Sequence, residues 1–266
     1  MVISFAGRRA GFGMSFFGLG GTIGFGVGPL AAAYWVSRYG LESLPFAAVF
    51  GLAMMAFLVF VAPRPVGEGL KGVGPTSAIR EAIGGAWRGI ALIWVIAVLN
   101  DFVLLAYTTF MPIRLDRLGY PLIAIGLFAT IFSGAGALGA LLAGHISDKI
   151  GYKPIYYVSF ALATPALLLL LFLPGWWVFV GAFVSGFIVM STMFIAIVMA
   201  QKLAPGGRSM VASLMMGLAY GAAGMLNPLA GRLADDLSIQ AVLVGVAFLP
   251  LLALVLARRL PVVEGR

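Results

Sequence analysis

Eight stretches of the chain stay mainly apolar for about the 20 residues that a helix needs to cross a bilayer's hydrocarbon core. They are Ala10 to Val36, Leu44 to Ala62, Gly89 to Pro112, Pro121 to Gly144, Ile155 to Leu173, Trp176 to Ala200, Met210 to Gly231 and Ile239 to Ala257. So much apolar surface in 266 residues has nowhere to go in a water-soluble core. Only 10% of the residues are charged and 62% are hydrophobic, against about 25% charged in a soluble domain. The runs are continuous, as in Ala161 to Phe172, and do not alternate, which argues against a membrane β-barrel. An all-α polytopic membrane protein is predicted. The glycines and prolines follow no three-residue period and sit inside the apolar runs, so neither collagen nor a disordered linker fits.

Eight crossings place both termini on one side of the membrane, and the basic residues choose the side. Thirteen of the seventeen lie on the terminal side; only Arg38, Arg114, Arg117 and Arg232 lie opposite. Both termini are therefore expected in the cytoplasm, with the protein in the cell membrane. The net charge of +8 then reflects topology and implies no nucleic-acid partner. Trp176 and Trp177 follow a Pro-Gly turn at a span end, where tryptophan anchors to the interface. The longest connection, Pro63 to Arg88, is rich in Gly, Pro and charge and reads as a cytoplasmic linker between two bundles.

Two internal echoes point to repeats. Shifting the first span by 199 residues sets Gly7 on Gly206, Arg9 on Arg208, Gly18-Leu19 on Gly217-Leu218 and Pro29-Leu30-Ala31 on Pro228-Leu229-Ala230. The two spans are six helices apart and run in the same sense. Gly144-His-Ile-Ser-Asp148 and Gly231-Arg-Leu-Ala-Asp235 share their spacing on spans of opposite sense. Parallel halves containing inverted three-helix repeats are a transporter architecture.

The stretch Gly144-His-Ile-Ser-Asp-Lys-Ile-Gly-Tyr-Lys-Pro154 resembles the cytoplasmic signature of the major facilitator superfamily, with Gly144, Asp148, Lys149, Gly151 and Lys153 matching. Tyr152 stands where Arg is more usual. Gly20-x-x-x-Gly24-x-x-x-Gly28-Pro29 resembles the Gly-Pro signature of the fifth helix in the superfamily's antiporters. Arg8-Arg-Ala-Gly-Phe-Gly-Met-Ser15 leading to Gly20-Gly21, with Gln201-x-x-x-Pro205, looks most like the fosmidomycin-resistance type of exporter. The resemblance implies a major-facilitator-type bundle in which the eight spans are the fifth to twelfth of twelve. Residues 1–62 would be the last two helices of the N-terminal bundle, 63–88 the cytoplasmic linker and 89–266 the six-helix C-terminal bundle. The start at Met1 to Phe5 would then mark a fragment or a mis-called start. An upstream reading frame encoding four apolar spans is expected, and a stop codon there would sink the idea.

Each motif has a physical role. Gly20, Gly24 and Gly28 fall at i, i+4 and i+8 and make one smooth stripe, with Pro29 just beyond. Such stripes let helices approach closely, and ordinary packing accounts for them nearly as well as function does. In antiporters of the resembling family this stripe packs against a helix of the other half. Gly134, Gly136 and Gly139, and Gly217, Gly221 and Gly224, suggest further surfaces able to slide. Asp148 ends a span where it can meet a helix N-terminus or a cation on a closed cytoplasmic face. A solvated loop accounts for Lys149 and Lys153, and His145 reads as a loop residue.

Asp101 is the only carboxylate deep in an apolar span, beside Asn100. Burying a charge at mid-membrane costs about 2.5–3.5 kcal/mol on insertion scales, so Asp101 should face an aqueous cavity or be protonated part of the time, as a proton-coupling group must. The alternative is a carboxyl bonded to a helix of the other half. Tyr107, Thr108 and Thr109 are one to two turns on and offer cavity hydroxyls. Asn227, before Pro228, is a further cavity candidate.

The expected function is secondary-active, proton-coupled export of small drug-like or anionic compounds by alternating access, with lipid, protons and a small molecule as partners. A metabolite uptake symporter and a nonfunctional truncated fragment are the alternatives. No enzyme is expected, since no catalytic constellation or GxxxxGK[ST] loop occurs. No cofactor is implied, and without cysteine and with one histidine no metal site is expected.

Overall fold

The computed structural model describes residues 10–61 and 84–260, and every regular element among them is helical. Helix α1 covers Ala10–Tyr39 and α2 Leu44–Val61. A six-span bundle follows: α3 (Trp87–Arg117), α4 (Leu122–Ile150), α5 (Tyr152–Phe172), α6 (Trp177–Met190) with α7 (Met193–Leu203), α8 (Arg208–Ser213) with α9 (Ala219–Asp236), and α10 (Ile239–Ala247) with α11 (Leu249–Ala257). Counting the interrupted helices as single spans, six are long and apolar enough to cross a membrane. They coincide with the last six expected segments to within a few residues. The first two expected segments are α1 and α2, joined by a bend of 118°. Most of the expected linker, and the chain start, lie outside the described residues.

The bend follows from Gly40, whose φ of 79° is open to glycine and strained for other residues. Ser43 Oγ donates to the Gly40 carbonyl at 2.6 Å and Trp35 Nε1 to the Ser43 carbonyl at 3.3 Å, fixing the corner. Beyond it α2 is apolar on all sides and exposed along most of its length. Helix α1 instead lies along α4. A side chain at Gly126 would strike Ala33 and the backbone of Leu30 and Pro29, and Gly26 faces Ser133 and Gly134.

The bundle interior divides into two apolar clusters. One holds Val103 to Leu115 of α3 with Phe128, Phe132, Leu167 and Val246. The other holds Ile90 to Ala97 with Tyr156, Phe160, Val198 and Ala253. Asn100 and Asp101 lie on α3 between them. Three spans are also interrupted between their ends. At Ser191-Thr192, α6 gives way to α7, and Ser191 Oγ bonds the Ile188 carbonyl at 2.6 Å, the back-bonding that bends helices. Leu214–Leu218 forms a π turn between α8 and α9. At Phe248, α10 gives way to α11, where Pro250 lacks the N–H that would continue the ladder.

Glycine sets the α4–α6 contact. A Cβ at Gly139 would fall on the Phe187 carbonyl, one at Gly186 on the Phe132 carbonyl and one at Gly136 on the Met190 side chain. The fourth span's stripe is therefore engaged in close packing at Gly136 and Gly139, while Gly217, Gly221 and Gly224 of the seventh expected span have open space around them. Gly139→Ala is expected to cost about 1–3 kcal/mol, the range for overpacking a tight contact, and Gly221→Ala close to nothing. Thermal unfolding of the detergent-solubilised variants measures both.

Candidate functional site

Asp101 sits midway along α3 and is 7% exposed, and Asn100 beside it is 8% exposed. Both line a cavity of about 70 Å³, whose walls include Tyr156 of α5, Thr192 at the α6–α7 break, Met215 in the π turn and Tyr220 of α9. The Asp101 carboxyl makes no ion pair or hydrogen bond among the described residues. The Tyr156 hydroxyl is buried in the same wall and has no hydrogen-bond partner among the described residues. Buried polar atoms are normally satisfied, and α-helical backbone normally leaves none of its own groups free inside a membrane. The cavity thus brings together a buried carboxyl, a buried tyrosine hydroxyl and two irregular backbone segments. Irregular backbone at membrane depth is tolerated where it borders such a cavity.

Tyr107 and Asn227 lie outside this cavity, contrary to the expectation that they line it. Tyr107 is fully buried one and a half turns beyond Asp101, and its hydroxyl donates to the Leu243 carbonyl at 3.0 Å, with the Leu167 carbonyl 3.4 Å away. That geometry ties α3 to α10 and α5 and leaves no hydroxyl for cargo. Asn227 Nδ2 donates to Thr109 Oγ1 at 3.1 Å, joining α9 to α3 in the half of the bundle beyond Tyr107. Thr108 bonds its own helix, at the Leu104 carbonyl. A helical turn advances 5.4 Å and six residues rotate a side chain by about 240°, so Tyr107 lies at another depth than Asp101 and faces other helices.

Tyr156, Thr192, Met215 and Tyr220 were not singled out from sequence. The pair Ser191-Thr192 inside an apolar span was a readable sign of a break. Nothing in the sequence distinguishes the π turn.

A second polar cluster lies at the α4–α5 corner. Helix α4 continues through Gly144 and Asp148 to Ile150, so His145 is helical and not in a loop. Gly151, with φ 88°, ends α4 and starts α5 in one residue, which is why a glycine stands there. Tyr152 is buried, and Lys202 Nζ lies over its ring, 5.0 Å from the centroid. Asp148 acts electrostatically on both. Tyr152, the departure from the usual Arg, thus holds a cation on its ring face and links α5 to the end of α7. Lys149 is exposed and Lys153 half-buried. Gln201 Nε2 closes the neighbouring turn onto the Arg208 carbonyl at 3.1 Å.

On α1, Gly24 and Gly28 face open space, and Pro29 sits at the α4 contact through its backbone. The side facing α4 is set by Gly26 and Ala33. The side-chain surroundings of Gly20 lie outside the described residues.

Among the described residues no group of three or more acidic, His or Cys side chains comes together to hold a metal ion.

A family model described as Major Facilitator Superfamily matches residues 1–228 and 118–265. The chain is 30% identical over 255 residues to the "Fosmidomycin resistance protein" of Escherichia coli (strain K12), an alignment covering 94% of this chain and 62% of that protein. It is 29% identical over 131 residues to an "Uncharacterized MFS-type transporter", YfnC, of Bacillus subtilis (strain 168), covering 49% of this chain and 32% of that one. The chain thus spans about three fifths of the length of the first relative.

Replacing Tyr107 by Phe removes one buried interhelical hydrogen bond and should cost about 1 kcal/mol. Ligand binding at the Asp101 cavity should be unchanged, as titration of the Tyr107→Phe protein would show.

Proposed function

The chain belongs to the major facilitator superfamily, a family of membrane transporters, and from that premise we propose that it acts in proton-coupled export of small drug-like or anionic compounds. The observation that carries the reading is Asp101: a carboxyl at mid-span with no ion pair or hydrogen bond among the described residues, in a cavity bounded by two interrupted helices. A buried charge in a membrane is costly unless it does something. Such a group takes up a proton when the cavity is open to one side and gives it up when cargo enters from the other. Export by this cycle needs the cavity to open alternately, and the breaks at Ser191-Thr192 and Leu214–Leu218 place bendable backbone in its wall.

The cargo class comes from the relative named for fosmidomycin resistance. The basic residues favour cytoplasmic termini, with α1 and α2 as two crossings. The corner of Asp148, Tyr152 and Lys202 then lies on the cytoplasmic face, where it ties three helices together only while that face is closed. Helices α1 and α2 and the six spans that follow are read as the fifth to twelfth of a twelve-helix fold. The exposed apolar surface of α2 and the open glycines of α9 support that reading.

Fosmidomycin flux into inverted vesicles driven by an imposed pH gradient provides the test. Asp101→Asn should reduce the gradient-driven component at least tenfold, to the level of protein-free vesicles, while Asp101→Glu retains part of it. Undiminished pH-driven flux in Asp101→Asn would rule out the coupling role. Flux that runs with the proton instead of against it would favour the uptake symporter.

A further inference from the structure

A second cavity lies on the outer surface of the bundle. It has a volume of about 170 Å³ and runs between α4 and α5 down to α6. Gly139 and Ala143 on α4 contribute almost no side chain, so a trough is left between Leu142 and Ile146 on one bank and Val158 and Leu162 on the other. Those four bank residues are each 41–59% exposed. The floor ends at Ser159 and Ser191, whose hydroxyls bond each other at 2.7 Å and so ask for nothing from a ligand. From Gly139 to Ile146 the trough extends about 10 Å along α4.

A dry trough inside a bilayer is filled by hydrocarbon, because empty space there forfeits dispersion contacts on one side and water finds no polar partner in it. The trough is also charged at one end. Lys149 stands three residues beyond Ile146, so on a helix it continues the same face. Lys153 lies in the first turn of the opposite bank's helix but on the other side of it from Ile155, Val158 and Leu162, so the charge at this end is Lys149. Lys149 is exposed, and neither lysine forms an ion pair among the described residues. His145 and Asp148 are the other titratable groups at this corner, and Asp148 is electrostatically engaged with Tyr152 and Lys202.

We propose that this trough binds one anionic phospholipid, with an acyl tail lying between α4 and α5 down to the serine pair and the phosphate held by Lys149. The lipid comes from the leaflet on the α4–α5 loop side, which the proposed topology makes the cytoplasmic one. Ser191 at its floor and Thr192 in the wall of the Asp101 cavity are consecutive residues of one helix break. The lipid therefore sits directly behind the backbone that borders the cargo cavity, and its occupancy is felt where that span bends.

Native mass spectrometry of the purified chain, in detergent containing equal amounts of phosphatidylglycerol and phosphatidylcholine with identical tails, tests this. The native chain should retain one phosphatidylglycerol in preference to phosphatidylcholine. Lys149→Gln should lower that preference about fivefold, the factor expected for one lysine near an anionic surface. Val158→Trp, on the exposed bank where folding is not at stake, should reduce retention of both lipids equally by covering the trough. Arg117→Gln, at the far end of α3, should change neither. Equal retention of the two lipids by the native chain, an undiminished preference in Lys149→Gln, or undiminished retention in Val158→Trp would each overturn the proposal. Lipid retention is read without transport, so failure of the Asp101 coupling test leaves this result standing, and the reverse.

Discussion

A single carboxyl group lies buried in the middle of an apolar bundle, and a membrane bundle must accommodate its polarity. Asp101 lies on α3 between the two hydrophobic clusters of the six-span bundle, and two of the spans that border its cavity are interrupted there. A continuous helix satisfies its own backbone and leaves nothing for a guest. A broken one frees carbonyl and amide groups, which lipid cannot serve. The breaks at Ser191-Thr192 and at the π turn border the Asp101 cavity, where polar company is available, and the tightest packing lies elsewhere.

That division of labour is visible in the glycines. Gly139 and Gly186 let the backbones of α4 and α6 meet, Gly136 takes the Met190 side chain, and Gly126 gives α1 the same close approach to α4. These contacts make a continuous line of close packing from α1 through α4 to α6. On α9, Gly221 and Gly224 face open space, and its exposed surface is correspondingly large. One type of residue thus serves both as close-packing spacer and as a smooth open face, according to what its helix meets. The corner at Gly151 adds a third use, a backbone conformation available to few other residues.

Much of this was legible in the chain alone. Six expected spans coincide with helices, and the segments expected as the first two are α1 and α2. Asn100 and Asp101 were identifiable because polarity inside a long apolar run is rare and costly. Tyr107 and Asn227 do not line the Asp101 cavity. Their hydroxyl and amide bond to Leu243 and Thr109, and such partners, 136 and 118 residues distant, cannot be found by counting turns. The same limit hid Tyr156 and Tyr220, which reach the cavity from helices whose rotation no local pattern states. Tyr152 is the reverse case: a departure from a motif that becomes intelligible once Lys202 is seen over its ring.

Hydrophobicity and charge are properties of individual residues summed along the chain, so the sequence by itself determined that the protein is a helical membrane protein, where its spans lie, which of them carries a buried acid and which family it resembles. Rotation, tilt and interruption of a helix are set by what packs against it. Only the tertiary structure decided that Gly26 and not Gly28 turns toward α4, that Tyr107 ties three helices together and that two breaks meet at Asp101. It also opened a trough beside Lys149 at the lipid surface. The reason is the same in each case: a lipid-facing and a bundle-facing residue are equally apolar, and only contact tells them apart.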